Sequence, residues 1–129
     1  MSIQLDPAKE KQLIELLMGL TNYTDLEAIA VVSKQGVKVA YFATEDSDAD
    51  PDLMAAVSAA LLVQGEMAAQ KLNLDELYEV VIRGRKGFVV LSQAGDYLVM
   101  GSARDLTSMG LAVTQMRRYA KEISDLLNP

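Results

Sequence analysis

The chain has no cysteine and no histidine. Without cysteine it has no disulfide staples, no thiolate nucleophile and no thiolate metal site. Without histidine it lacks the commonest general base, the commonest zinc ligand and the side chain that titrates nearest neutral pH. Cations are also scarce: 12 lysines and arginines stand against 18 acidic residues, a net charge of −6. Binding to nucleic acid rests on clustered Lys and Arg displacing counterions, so this balance and the scattered basic pairs argue against such a surface. Long apolar runs are missing too. The longest uncharged, mainly apolar one, Leu53 to Val63, falls well short of the roughly 20 residues a bilayer span needs. The N-terminus lacks the basic-then-apolar order of a signal peptide. These absences predict a cytoplasmic protein that binds no nucleic acid, inserts into no membrane and carries neither cofactor nor metal.

What the chain does have is apolar content, half of its 129 residues, enough for one unstapled core. Asp6-Pro7 is a helix start, because the carboxylate caps free amides and proline presets φ in the first turn. Leu13, Leu16, Leu17 and Leu20 then recur at helical spacing, and Gly19 with Thr21-Asn22 marks the end. Leu26 to Ser33 is apolar on both alternating faces, the pattern of a central strand covered on each side. Gln35-Gly36 turns the chain into a second, more exposed strand, Val37 to Phe42. Asp50-Pro51 repeats the capping device and opens an alanine-rich helix from about Asp52 to Leu72, which Asn73 ends. Three β runs follow, Glu76 to Arg83, Phe88 to Ser92 and Tyr97 to Ala103, with turns at Gly84–Gly87 and Ala94–Asp96. Asp105 is placed to cap a last helix with an apolar face of Met109, Ala112, Val113, Met116, Tyr119, Ala120, Ile123 and Leu127. The predicted order is α-β-β-α-β-β-β-α. A five-stranded antiparallel sheet with helices on both faces, an α/β (α+β) sandwich, accounts for the two-sided central strand.

This order, with the run Ala28-Ile29-Ala30-Val31-Val32-Ser33-Lys34-Gln35-Gly36, resembles the Roadblock family of dynein light chains and its prokaryotic relatives. The small-residue segment Leu53-Met54-Ala55-Ala56-Val57, the hairpin strand Gly87-Phe88-Val89-Val90-Leu91 and the run Tyr97-Leu98-Val99-Met100 support the likeness. It spans nearly the whole chain and lies closest to the stand-alone prokaryotic members. The resemblance implies one Roadblock-type domain over residues 1–129 with a profilin-like sandwich. It further implies a homodimer or paired heterodimer that joins edge strands, and a role as a platform or regulator for a small Ras-like GTPase, or as a motor-complex subunit.

Two segments are candidates for the contacts. At about 100° per residue, Met54, Val57, Leu61, Gly65, Ala68 and Leu72 form one face of the second helix, expected to sit on the sheet. Ala55, Ala56, Ala59, Val63 and Met67 lie on the other side, where a lone surface helix would carry charge, so this second face is expected to meet a partner. The bland alternative is that these alanines only raise helix propensity. Val63 and Met67 favour the partner, since burying each side chain is worth roughly 1.5–3 kcal/mol. The third strand, with Tyr78, Glu79, Val80 and Arg83 among its residues, is the candidate edge for pairing between copies. Its charges either block stray edge pairing or meet across a two-fold axis.

Other motifs point to bland readings. Asp46, Asp48 and Asp50 alternate like the start of a calcium loop, but Pro51 replaces the turn glycine and Val57 the bidentate glutamate. Gly84-Arg85-Lys86-Gly87 has cations and glycines but no strand-to-helix passage, so it is a hairpin tip and not a phosphate loop. Arg117-Arg118 reads first as a solvated helix face. The expected function is a non-catalytic homodimeric scaffold that binds a small Ras-like GTPase. The alternative is a sensor holding a small molecule between helix and sheet, with the seven methionines as an adaptable interior. An acid–base enzyme built on Asp, Glu, Lys or Tyr has no visible constellation.

Overall fold

A computed structural model describes residues 3–128. The elements are α1 (Pro7–Tyr23), β1 (Ala28–Ser33), β2 (Lys38–Ala43), α2 (Pro51–Lys71), β3 (Glu79–Gly84), β4 (Gly87–Ala94), β5 (Tyr97–Ala103), a 3₁₀ turn at Leu106–Ser108 and α3 (Met109–Leu127). The strands form one sheet in the order β2-β1-β5-β4-β3, every neighbouring pair antiparallel. β1 joins the meander by pairing with β5, Ala28 opposite Ser102 and Ser33 opposite Tyr97. All six residues of β1 are buried, as its two-sided apolar pattern requires.

Two apolar layers clamp the sheet. On one face α1 and α3 pack Leu13, Leu17, Leu20, Met116, Tyr119 and Ile123 over Ile29, Val31, Phe88, Val90 and Val99. On the other, α2 alone sets Met54, Ala55 and Leu62 over Ala28, Ala30, Val32, Leu91, Leu98 and Met100. The Asp-Pro starts work as expected. The Asp6 carboxylate accepts from the Ala8 amide at 3.0 Å, and that of Asp50 accepts from the amides of Asp52 and Leu53. Gly36, at φ +88°, supplies the left-handed turn between β1 and β2 with α2 directly above it.

Some boundaries shift, each for a local reason. α1 runs through Gly19 and Asn22 to Tyr23 because Thr24 ends it, its hydroxyl donating to the Leu20 carbonyl and accepting from the Leu26 amide. β1 therefore starts two residues later than its apolar run. Asp105 caps the 3₁₀ turn, through the Thr107 amide and hydroxyl, and that turn leads into α3. β3 begins only at Glu79, since Asn73 and Asp75 take left-handed conformations, φ 58° and 67°, and delay the strand.

The seating of α2 departs from the periodicity. Met54 faces the sheet as expected, but Ala55, Ser58, Leu62 and Ala69 are buried beside it, while Val57, Ala68 and Leu72 are exposed. The inner stripe lies about one residue along from the expected one. Small side chains decide it. Ser58 buries its hydroxyl by donating to the Met54 carbonyl at 2.7 Å and approaches the Met100 sulfur at 3.5 Å, so the polar cost of burial is met within the helix. α2 is long and apolar enough, by length and composition alone, to cross a membrane. That apolarity belongs to a helix with one face on the sheet and a second apolar stripe outward.

Candidate interaction site

The outward stripe of α2 and the edge strand β3 are both uncovered. Leu53, Val57, Val63 and Met67 all point away from the sheet as exposed large apolar side chains, with Ala56, Ala60 and Ala68 between them. Val63 is 53% and Met67 43% exposed. The helix reaches the sheet edge at Gly65, where an added Cβ would come within 2.9 Å of Leu77 and 3.0 Å of Val80. A side chain at this position would require Leu77 and Val80 to shift. Beyond it, from Glu66 to Leu72, only Ala69 is buried, and the apolar surface continues through Leu72, Leu74 and Tyr78, all more than 60% exposed.

β3 pairs with β4 on one side and, among the described residues, has no strand on the other. Its apolar residues face both layers of the sandwich: Val80 packs beneath α2, while Val81 and Ile82 remain about 40% exposed. Ile82 and its cross-strand neighbour Val89 line an open cleft of about 300 Å³ with Glu27, Asp48, Lys86 and Arg104. An edge strand with free backbone groups and uncovered apolar residues on both faces is the geometry that sheet extension uses.

The expected site residues separate in the structure. Ala56, Val63 and Met67 lie on the free stripe, with Ala59 half-covered above Gly36. Ala55 does not. It is 2% exposed inside its own core, because the one-residue rotation of α2 turns it onto the sheet, and Val57 takes its place outside. Tyr78 and Val80 adjoin the open edge, Tyr78 one residue ahead of the strand. Glu79 has a partner within its own chain. Its carboxylate takes a two-pronged contact from the Arg117 guanidinium of α3, at 2.6 and 3.1 Å, which ties the edge strand to its own helix layer and raises the Arg117 pKa. Arg83 is exposed and makes no ion pair among the described residues.

A second ion pair has no counterpart in the sequence pattern. Glu27, just ahead of β1, holds Arg104, just after β5, through the Arg104 side chain and also its backbone amide, at 2.7 Å. The hydrogen bond from the Arg104 side chain holds the Glu27 carboxyl below its ordinary pKa. Only the β1–β5 pairing brings the two together. Among the described residues no group of three or more Asp or Glu side chains is arranged to hold a metal ion. The space between α2 and the sheet is filled by Met54, Leu62, Leu91, Leu98 and Met100.

Comparison with known families places this sandwich. The model of the Roadblock/LC7 domain matches residues 13–102. The chain belongs to the Roadblock/LC7 family. No curated protein matches the chain in sequence. Solved structures carry the same fold. An MglB described as having a tetrameric arrangement superposes with a TM-score of 0.85 at 19% identity, covering 97% of this chain and 94% of that one. The gliding protein MglB from Thermus thermophilus gives 0.81 at 18% identity, over 97% and 95%. A Roadblock/LC7 domain from Streptomyces avermitilis gives 0.61 at 20% identity, over 81% and 94%. In this Roadblock/LC7 chain both candidate segments, the outward stripe of α2 and β3, fall inside the matched region.

Proposed function

We propose that this protein is a non-catalytic, homodimeric scaffold of the cytoplasm that binds a small Ras-like GTPase and regulates or tethers it. The observation that carries the reading is that α2 has an unpartnered apolar stripe while its inner face packs, at Gly65, on the open edge strand β3. Two copies related by a two-fold axis, β3 beside β3, would cover both in one step, since an isologous contact uses the same patch twice. The small side chains of Ala56 and Ala60 allow the two α2 helices to approach closely. The GTPase as partner rests on family membership, which is an argument by analogy. The acidic charge balance and the absence of histidine and cysteine support a regulator whose partner does the chemistry. A scaffold that binds one nucleotide state of the GTPase more tightly shifts the population toward that state.

The test uses purified Ras-like GTPases from the same cell, loaded with GDP or a non-hydrolysable GTP analogue, with complex masses read by light scattering. The expected result is a complex holding two copies of this chain in one nucleotide state and weaker binding in the other. Absence of binding in both states sinks the GTPase reading, and complexes with a single copy sink the homodimer.

A further inference from the structure

The two edges of the sheet are treated differently. β3 is bare, but β2 has a strap beside it. The Ile3 amide donates to the Lys38 carbonyl at 2.8 Å, and the side chains of Ile3 and Leu5 pack against the core of the α1–α3 layer. The strap is anchored at its far end, because Asp6 follows immediately and caps α1. The strand beneath it is sticky: Val39 and Ala40 are buried, and Tyr41 and Phe42 half-buried. Left bare, such a strand offers free backbone groups flanked by apolar side chains, the feature that templates edge-to-edge association.

We propose that residues 3–5 act as an edge guard on β2, confining sheet extension to β3 and so closing the assembly at two copies. This rests on the β3 pairing argued above. The logic is one of closure. A subunit with one usable edge can pair once, through a two-fold contact, and stops. A subunit with two usable edges carries a free edge on each end of every pair and grows without limit.

The experiment is the full chain with Ile3→Pro and Leu5→Asp, the first removing the amide donor and the second the apolar anchor. Mass is followed by light scattering against concentration, and hydrogen exchange by mass spectrometry over residues 38–42. Near-native circular dichroism confirms folding, and Ile3→Pro alone serves if the double variant unfolds. The guard predicts species larger than the native assembly that grow with concentration, and slower exchange over residues 38–42 as those species form. Adding Val81→Pro, which removes an amide facing the open side of β3, should then return the variant to closed pairs formed through β2. An unchanged mass overturns the proposal whatever the exchange shows, and so does growth without slower exchange in β2. If the native chain is itself a monomer, the β3 reading fails. The guard is then judged by whether the variant associates at all.

Discussion

Replacing Val63 and Met67 together by aspartate should convert the native pair of chains to a folded monomer. Both side chains are about half exposed in the isolated chain, so association can still bury about half of each. Complete burial of such a side chain is worth roughly 1.5–3 kcal/mol, which leaves about 1 kcal/mol to be gained per side chain. A two-fold contact uses four of them, a total on the order of 4 kcal/mol, or roughly a thousandfold in the dimer dissociation constant. Carboxylates forced together at the axis add to this. The monomer's own core loses almost nothing, because neither residue is among those packed on the sheet. The assay is light scattering from low micromolar to high micromolar concentration, with far-UV circular dichroism and thermal melting as controls for folding. A folded variant that keeps the native mass over this range would falsify the placement of the interface on α2. A native chain that is monomeric throughout would remove the premise.

Two further outcomes follow from the interior. The Ser92 hydroxyl is buried with no hydrogen-bond partner among the described residues, and an unsatisfied buried polar group costs about 1–3 kcal/mol. Ser92→Ala should therefore raise stability by about 1 kcal/mol in urea unfolding, and a clear loss of stability would show that the hydroxyl is satisfied in solution. The lowered Glu27 pKa, set first by the Arg104 side-chain hydrogen bond, has a definite sign. A depressed carboxyl contributes stability that is complete above its ordinary pKa and is lost as pH falls through the folded value. Melting temperatures of the native chain and Glu27→Gln should thus differ at neutral pH and converge on acidification, and a gap that stays constant down to about pH 3 contradicts the assignment.

The fold is legible where the sequence carries redundant signals. Asp-Pro starts, a two-sided apolar run for β1 and a one-sided stripe on α3 each encode their element locally, with β1 starting two residues into its run and α3 preceded by the 3₁₀ turn that Asp105 caps. The seating of α2 is not legible, because hydropathy ranks Val57 above Ala55 and Ser58. Close packing against Met100 selects the small residues instead, and a serine that bonds to its own helix is buried at little cost. The same rotation decides which residues of the candidate site are free, removing Ala55 and adding Val57. Glu79 can be placed on the edge strand from the pattern alone. Its partner cannot, because the Arg117 contact depends on how α3 crosses the sheet. Glu27–Arg104 is invisible for the same reason, since nothing in the spacing announces that β1 neighbours β5.

That neighbour relation also sets a timetable for biosynthesis. The β1–β2 hairpin emerges early, but the second partner of β1 is β5, so Ala28 has to await Ser102. Long-range pairing of this kind carries the loop-closure cost before its contacts repay it, and it slows folding. Until β5 is made, β1 holds six positions destined for burial with one side unpaired. A nascent chain stalled anywhere before Tyr97 therefore presents an adhesive central strand that the finished protein never shows, and chaperone engagement during synthesis should concentrate on the interval between the two strands.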